Sequence, residues 1–455
     1  MKSRRTAAVK NIIVITIYQL FTIILGFIIP KLFLTTYGPS IHGLTSSITN
    51  IMNYVLLLNA GLNIASTQSL YEPLSQNNIK RINEVLNAIK LYYYNTGIVL
   101  FIVITIIATI LPVLINDVPR ETVFWLMLVM GLQTTLDCFL LSKYRVLLQA
   151  DQKLYISFIF SIIVLVLRGT IQIVLISNNY SVVAVQSIPA LLQLITMLLQ
   201  NMYVRYYYPM LDGKVKPDKT ALAKRWSAFV HQISGLIVNN KDILLLTTTG
   251  NMILVSIYSV YQLVFSQLYN LMTTVFSQGS VAGFGHLLAS GSKESLRSNY
   301  STYEYIYFIF ISIVYSITAI MILPFVNLFT AGVEDVYYVD PKLAVLFIII
   351  GMLNNFRVPG VTLINAGGYY KETQWRAITE ALINLSSSLV FMQFMGVYGI
   401  LLGTVVSFIY RTIDTLIFSN KHILNQSPNH SILRSLRVIA VVVCSIIFFS
   451  FCFSN

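Results

Sequence analysis

Eight charged side chains stand inside long apolar stretches of this 455-residue chain: Lys31, Arg168, Lys241, Arg357, Arg411, Asp137, Asp242 and Asp414. A charge in such surroundings costs free energy unless it is paired, hydrated or in contact with a ligand. Their types and spacing do not fit covalent chemistry. The chain has no phosphate-cradling Gly-Lys-Ser/Thr loop, no His-rich metal motif and no nucleophile elbow. Buried cations can hold an anion, and buried carboxylates can take up H+ or Na+. Arg168 and Arg357 lie mid-stretch with no local partner, so they lead the candidates for an anion site. Lys31, Lys241 and Arg411 follow. Arg411 and Asp414 share a helical face and can simply pair. Lys31, beside Pro30, can snorkel from the end of its stretch. Lys241 and Asp242 are adjacent and point about 100° apart on a helix, so their pairing is not implied. Asp137 and Asp242 are the candidates for binding a coupling ion. Glu304 and Glu380 stand near the ends of two stretches.

Polar stripes are the second signal. Ser259, Gln262, Ser266, Asn270, Thr273 and Ser277 recur at three- and four-residue steps and share one helical face. Ser46, Asn50 and Asn53 do the same earlier in the chain. In lipid such faces turn inward, either to hydrogen-bond other helices or to wall a polar cavity able to bind sugar hydroxyls. Asn50, Asn53, Gln262, Ser266 and Asn270 are the candidate wall residues. Most tyrosines lie near the ends of apolar stretches, where amphipathic rings anchor helices. Tyr258 and Tyr261 are exceptions, candidates for stacking on a sugar.

These residues have to be held by apolar runs. Thirteen are long enough to cross a bilayer, which takes about 20 residues. They fall at roughly 11–35, 41–66, 91–115, 122–147, 155–177, 181–204, 226–249, 252–279, 303–329, 341–366, 377–396, 398–419 and 434–453. Composition agrees: 56% hydrophobic and 10% charged, against about 25% charged in soluble domains, with mean hydropathy +0.73. The net charge of +13 does not point to nucleic acid, because most basic residues sit in short loops between runs. With the N-terminus in the cytoplasm, the outside loops carry only Arg120 and Lys342, the positive-inside pattern. The first run is too long, and lacks a small-residue cleavage site, for a removed signal peptide. Cys138, Cys444 and Cys452 have no disulfide or metal spacing and read as buried, inert thiols.

The longest polar segment divides the chain. The expected organisation is a six-helix lobe at 1–206, a cytoplasmic linker at 207–225, a second six-helix lobe at 226–420, and an extra crossing within 421–455. A short repeat supports two halves: Leu34-Thr35-Thr36-Tyr37-Gly38 and Leu246-Thr247-Thr248-Thr249-Gly250 each end the first run of a half. Even-numbered halves give parallel repeats, with the substrate site at the repeat interface in transporters of this kind. The basic, amphipathic segment 75–90 reads as a helix lying on the inner membrane face, and 280–302 as a second such loop.

Several of these motifs, in their order along the runs, resemble those of bacterial polysaccharide transporters of the Wzx type, in the MOP superfamily of flippases and drug antiporters. They are Lys10-Asn11-Ile12, Gly26, Pro30-Lys31, Tyr37-Gly38 and Gly43-Leu44; Asn59-Ala60-Gly61-Leu62, Ala65-Ser66, Leu70-Tyr71 and Leu74; Asn239-Asn240-Lys241-Asp242-Ile243-Leu244; Val255-Ser256-Ile257-Tyr258-Ser259-Val260-Tyr261; and Gly396-Val397-Tyr398-Gly399 with Gly403-Thr404. The resemblance covers most of the chain. It implies an all-α polytopic protein of the bacterial cytoplasmic membrane, with two six-helix lobes around a central cation-lined cavity. The implied substrate is an oligosaccharide repeat unit linked through pyrophosphate to undecaprenol, destined for capsule or O-antigen. It would be flipped by alternating access and driven by H+ or Na+, with no cofactor and no covalent step. Membrane lipids, a polysaccharide polymerase and glycosyltransferases are the implied partners. Relatives have twelve or fourteen crossings, so thirteen is a departure. A multidrug antiporter and a peptidoglycan-precursor flippase of the same superfamily are the alternatives. A membrane glycosyltransferase would need a catalytic carboxylate and, usually, a large loop, whereas the outside loops here are short.

Overall fold

The computed structural model of the chain describes residues 2–56, 62–218, 240–289, 292–334 and 336–453. Most of the expected seventh run, part of the second, the later part of the linker and the motif residues Asn59, Ala60, Gly61 and Asn239 lie outside the described residues. Every regular element among the described residues is a helix.

Helix α1 (Lys2–Val55) joins the first two runs. Its ladder breaks at Gly38, with φ 83° and ψ 174°, a conformation that costs an L side chain free energy. Pro39 then opens the second segment, where a missing N–H is tolerated. After α2 (Leu62–Ser75), the chain turns through Asn77 at φ 51°. Helix α3 (Ile79–Leu114) begins at once, capped by Asn78, whose side chain accepts from the Arg81 N–H at 3.1 Å. The basic segment 75–90 is therefore not a separate helix on the membrane face. From Ile79 it is the start of one 36-residue helix, because nothing interrupts the ladder before the apolar run.

Next come α4 (Arg120–Leu136), a π-helical turn at Asp137–Leu141, α5 (Ser142–Ala150), α6 (Leu154–Ser177) and α7 (Val182–Tyr207). A helical stretch at 240–248 precedes α8 (Met252–Met272), which continues through a π turn, Thr273–Gln278, into α9 (Gly279–Ala289). The segment 280–302, expected to lie on the inner membrane face, is helical at 280–289 as part of α9, and from Lys293 it is the start of the next long helix. Then follow α10 (Lys293–Phe329), α11 (Pro341–Phe356), α12 (Val358–Gly367), α13 (Tyr370–Met395), α14 (Val397–Ile417) and α15 (Asn429–Phe453).

Eleven described stretches are long and apolar enough to cross a membrane, and the first, Ile13–Val55, contains the break at Gly38 and so supplies two crossings. On α3, Ile98, Ile102, Ile106 and Ile110 recur every fourth residue and are 41% to 52% exposed. In water such a face would cost about 25 cal/mol per Å². Against hydrocarbon it costs nothing. The chain is a multi-pass membrane protein.

By spatial contact the chain forms two compact units. One is Met1–Leu236 with Leu246–Ser256, and the other is Ile237–Leu245 with Ile257–Asn455. In the first unit α1 packs on α6, and α4 on α3 and α7. In the second, α13 packs along α14, and α10 along α15. The last helix is bolted down. Arg434 Nη1 donates to Glu304 Oε2 at 2.6 Å, Arg434 Nη2 to Ser301 Oγ at 2.9 Å, and Ser445 Oγ to Ser316 Oγ at 3.2 Å. Cys138 is buried, but Cys444 is exposed on α15, contrary to the expectation of a buried thiol. The Cys452 side chain lies outside the described set.

Candidate functional site

The first unit holds a polar cavity of about 400 Å³. The second segment of α1 supplies Thr49 and Asn53, α4 supplies Gln133 and Thr134, α6 supplies Arg168, and α7 supplies Gln186 and Gln193. Asp137 enters at the π turn, where one extra residue per turn re-aims the helix. Arg145 Nη2 meets Asp137 Oδ1 at 3.2 Å, and Gln193 Nε2 donates to the same oxygen at 2.8 Å. Arg168 is held differently. Its Nε donates to Gln172 Oε1 at 3.1 Å, and Gln172 Nε2 donates to the Val185 carbonyl at 3.3 Å. Among the described residues no carboxylate pairs with Arg168. Two guanidiniums thus face one carboxylate in a cavity otherwise walled by amides, two threonine hydroxyls and the apolar Met52, Leu56 and Met130. Such a surface suits an anion with hydroxyl-rich neighbours.

The second unit carries a chain of alternating charges. Arg357 Nη1 donates to Glu380 Oε1 at 2.5 Å. Arg411 reaches Glu380 Oε2 at 3.3 Å and Asp414 Oδ2 at 3.1 Å. Arg376 pairs with the other oxygen of Asp414. The positions follow from sequence spacing: Arg376 and Glu380 are four apart on α13, and Arg411 and Asp414 three apart on α14. Arg357 stands at the break between α11 and α12, two residues before Pro359. Asn354 Oδ1 accepts from its Nε at 3.0 Å, and the Phe408 ring lies 4.6 Å from its guanidinium carbon. Among the described residues the cluster joins three cations to two carboxylates.

Lys241 and Asp242 form a third group and, despite adjacency, pair directly. The flexible lysine stem folds back to its neighbour. Lys241 Nζ also donates to Ser388 Oγ at 2.8 Å and Thr404 Oγ1 at 3.1 Å, and Tyr258 OH donates to Asp242 Oδ2 at 2.9 Å. Lys241 is 2% and Asp242 6% exposed, so neither is open to a ligand in this state. Two glycines make the group possible. A Cβ on Gly403 would lie 2.4 Å from the Ser388 nitrogen, and one on Gly399 2.1 Å from the Phe391 carbonyl oxygen. Only glycine there lets α14 approach α13 closely enough to bring Thr404 and Ser388 together.

The structure brings Asn53, Asp137 and Arg168 to one cavity, Arg357 and Arg411 to one cluster, and Lys241 to Asp242. Lys31 is half-buried on α1 and lines none of these. Asn50 is buried and spends its amide on its own helix, donating to the Ser46 carbonyl at 2.9 Å. Ser266 and Asn270 are exposed and Gln262 half-buried. Ser266 bonds within its helix, to the Leu263 carbonyl at 3.0 Å. The middle of the stripe is therefore open, while Ser259 is buried and Ser277 accepts from Thr362 at 2.9 Å. Tyr258 and Tyr261 are buried at 3% and 0%, the latter donating to the Tyr338 carbonyl at 3.0 Å. They are core residues, not stacking platforms for a sugar. Sequence reasoning passed over the cavity glutamines and Arg145. Gln186 and Gln193, seven apart on α7, share a face, and that spacing was the available signal.

No family model matches the chain, and no curated protein does. Solved structures do match in fold. One is the inward-facing conformation of a multidrug resistance MATE family transporter of the MOP superfamily, with TM-score 0.69 at 13% identity over 92% of this chain and 95% of that one. Another is the MATE multidrug transporter DinF-BH, with TM-score 0.65 at 14% identity over 94% and 97%. A third is a MOP superfamily transporter from Pyrococcus furiosus, whose reversed pocket polarity is reported to suggest a different function, with TM-score 0.60 at 14% identity over 93% and 97%. The chain shares the fold of these MATE transporters.

Proposed function

We propose that the chain is a flippase of the Wzx type. It moves a pyrophosphate-linked oligosaccharide on a polyprenyl carrier from the inner to the outer leaflet of a bacterial cytoplasmic membrane, for surface polysaccharide export. The observation that carries this reading is Arg168: a cation with no carboxylate partner among the described residues, in a cavity whose one carboxylate, Asp137, is taken by Arg145 and Gln193. The arginine cluster of the second unit has the same sign of excess. An anion is the ligand that balances both. Cationic drugs would call for the reverse, an excess of carboxylates. That contrast ranks the multidrug-antiporter reading second, although MATE multidrug transporters share the fold. The reversed pocket polarity reported for a MOP transporter of this fold supports a change of sign here.

The energy source in this reading is an H+ or Na+ gradient. Asp137 and Asp242 are the candidate carriers, and each would have to release a cation, Arg145 or Lys241, to take up the ion. The polymerase and glycosyltransferases of the same polysaccharide are the partners this role requires.

The test is export in cells lacking the native gene. Arg168→Ala should lower surface polysaccharide about tenfold, the cost of one charged hydrogen-bonding partner, while the protein accumulates normally in the membrane. Export at the wild-type level would remove the anion site from the mechanism.

A further inference from the structure

We propose that the first unit carries a second anion site, where α3, α5 and α7 meet the linker, for the phosphate head of an anionic phospholipid of the inner leaflet. A cavity of about 270 Å³ there is lined by Lys143, Tyr144 and Arg205, together with Asn83, Asn87 and Asp212. A neighbouring cavity of about 350 Å³ shares Asn87 and Gly213 and adds Lys90, Leu91 and Tyr94.

Three cations gather here without a carboxylate partner among the described residues. The ion pairs of this unit engage Arg81, Arg145 and Lys153, and none engages Lys90, Lys143 or Arg205. Arg205 Nε donates to Asn201 Oδ1 at 3.2 Å, and Tyr144 OH to the same oxygen at 2.9 Å. Lys143 Nζ lies 4.4 Å from the Tyr144 ring centre. These contacts fix direction without neutralising charge. The lining carboxylate, Asp212, is occupied by the turn: its Oδ1 accepts from the Lys214 N–H at 2.9 Å, and its own N–H donates to Asn83 Oδ1 at 2.9 Å. Asn87 Nδ2 holds the same loop through the Asp212 carbonyl at 3.0 Å and the Val215 carbonyl at 2.8 Å. The walls are thus built, not adventitious.

The flank explains why the ligand is a lipid. Leu91 and Tyr94 are 37% and 52% exposed and, with Ile98, begin the apolar stripe of α3 that faces hydrocarbon. A phosphate held by Lys90, Lys143 and Arg205 leaves its acyl chains lying along that stripe. A basic residue near an anionic lipid surface contributes about 1 kcal/mol.

The test uses the full-length protein, purified and followed by native mass spectrometry during stepwise delipidation. Phosphatidylglycerol should be retained over phosphatidylcholine of the same chains. Replacing the three together, Lys90→Gln, Lys143→Gln and Arg205→Gln, should lower that retention about a hundredfold. The charge-preserving set, Lys90→Arg, Lys143→Arg and Arg205→Lys, should keep most of it and so separates lost charge from lost fold. Equal retention of the two lipids, unchanged retention in the neutral variant, or equal loss in the charge-preserving one would overturn the site. So would competition by inorganic phosphate alone, or displacement by a polyprenyl diphosphate, which would assign the cavity to a free anion or to the transport substrate. The readout involves no transport, so the flippase proposal can fail without touching it.

Discussion

Gly38 and Gly250 stand 212 positions apart and hold the same kind of backbone, φ 83° and φ 74°. Each closes a Leu-Thr-Thr-x-Gly segment, and each lies just before a crossing helix. The short sequence repeat therefore marks a repeated break in the helical ladder. Positive φ interrupts the helix just before each crossing, and glycine adopts it without the side-chain clash.

Replacing either glycine tests the break. A Cβ on Gly38 would meet nothing within 4 Å, so Gly38→Val costs backbone strain only, about 1–3 kcal/mol. At Gly250 the Cβ would also lie 3.1 Å from the Leu114 carbonyl oxygen, so Gly250→Val should cost more. Thermal unfolding in detergent should rank wild type, Gly38→Val and Gly250→Val in that order of falling stability. Equal stability of all three would mean the break tolerates a side chain.

The Lys241–Asp242 pair should behave as one unit. Lys241→Met leaves a carboxylate buried without its cation, and Asp242→Asn leaves an ammonium without its anion. Each should cost about 3–5 kcal/mol, while the double variant should cost clearly less than the sum. A double-mutant cycle on thermal stability measures this. Additive losses would show that serine, threonine and tyrosine partners hold each charge separately.

Glu380 is the hinge of the arginine cluster. Glu380→Gln would leave Arg357 without its carboxylate and Arg411 sharing Asp414 with Arg376, and should destabilise by about 3 kcal/mol or more. Arg376 is a third exposed, with 33% of its side chain accessible. Arg376→Gln should cost no more than about 1 kcal/mol. The opposite ranking would place the main support of the cluster at its exposed end.

Orientation can be read by labelling. In a cysteine-free background, Lys214→Cys should react only with a reagent that reaches the cytoplasm, and Tyr337→Cys with an impermeant one from outside. Tyr337 is 79% exposed, so access will not limit the result. Reversed labelling would place the N-terminus outside and move the proposed lipid site to the outer leaflet.

Much of the fold was legible because a bilayer imposes a simple rule. A crossing must be long, apolar and internally hydrogen-bonded. That rule placed α4, α6, α7 and α14 from sequence. It misplaced the starts of α3 and α10, because an amphipathic pattern looks alike in an interfacial helix and in the first turns of a crossing. The candidate site was half legible. A charge in an apolar run announces itself, and Arg168, Arg357, Lys241 and Asp137 were all visible that way. Their partners were not, since Glu380 is 23 residues from Arg357 and Ser388 is 147 from Lys241.

The sequence alone determined the solvent, the helical class and which side chains would be costly to bury, because hydropathy and charge are local properties. Only the tertiary structure decided which of those charges are neutralised. It clamps Lys241, Arg357 and Arg411 to carboxylates and gives Arg168 none among the described residues. Pairing depends on which helices lie side by side, and close approaches such as that at Gly403 settle it through contacts far apart in the chain.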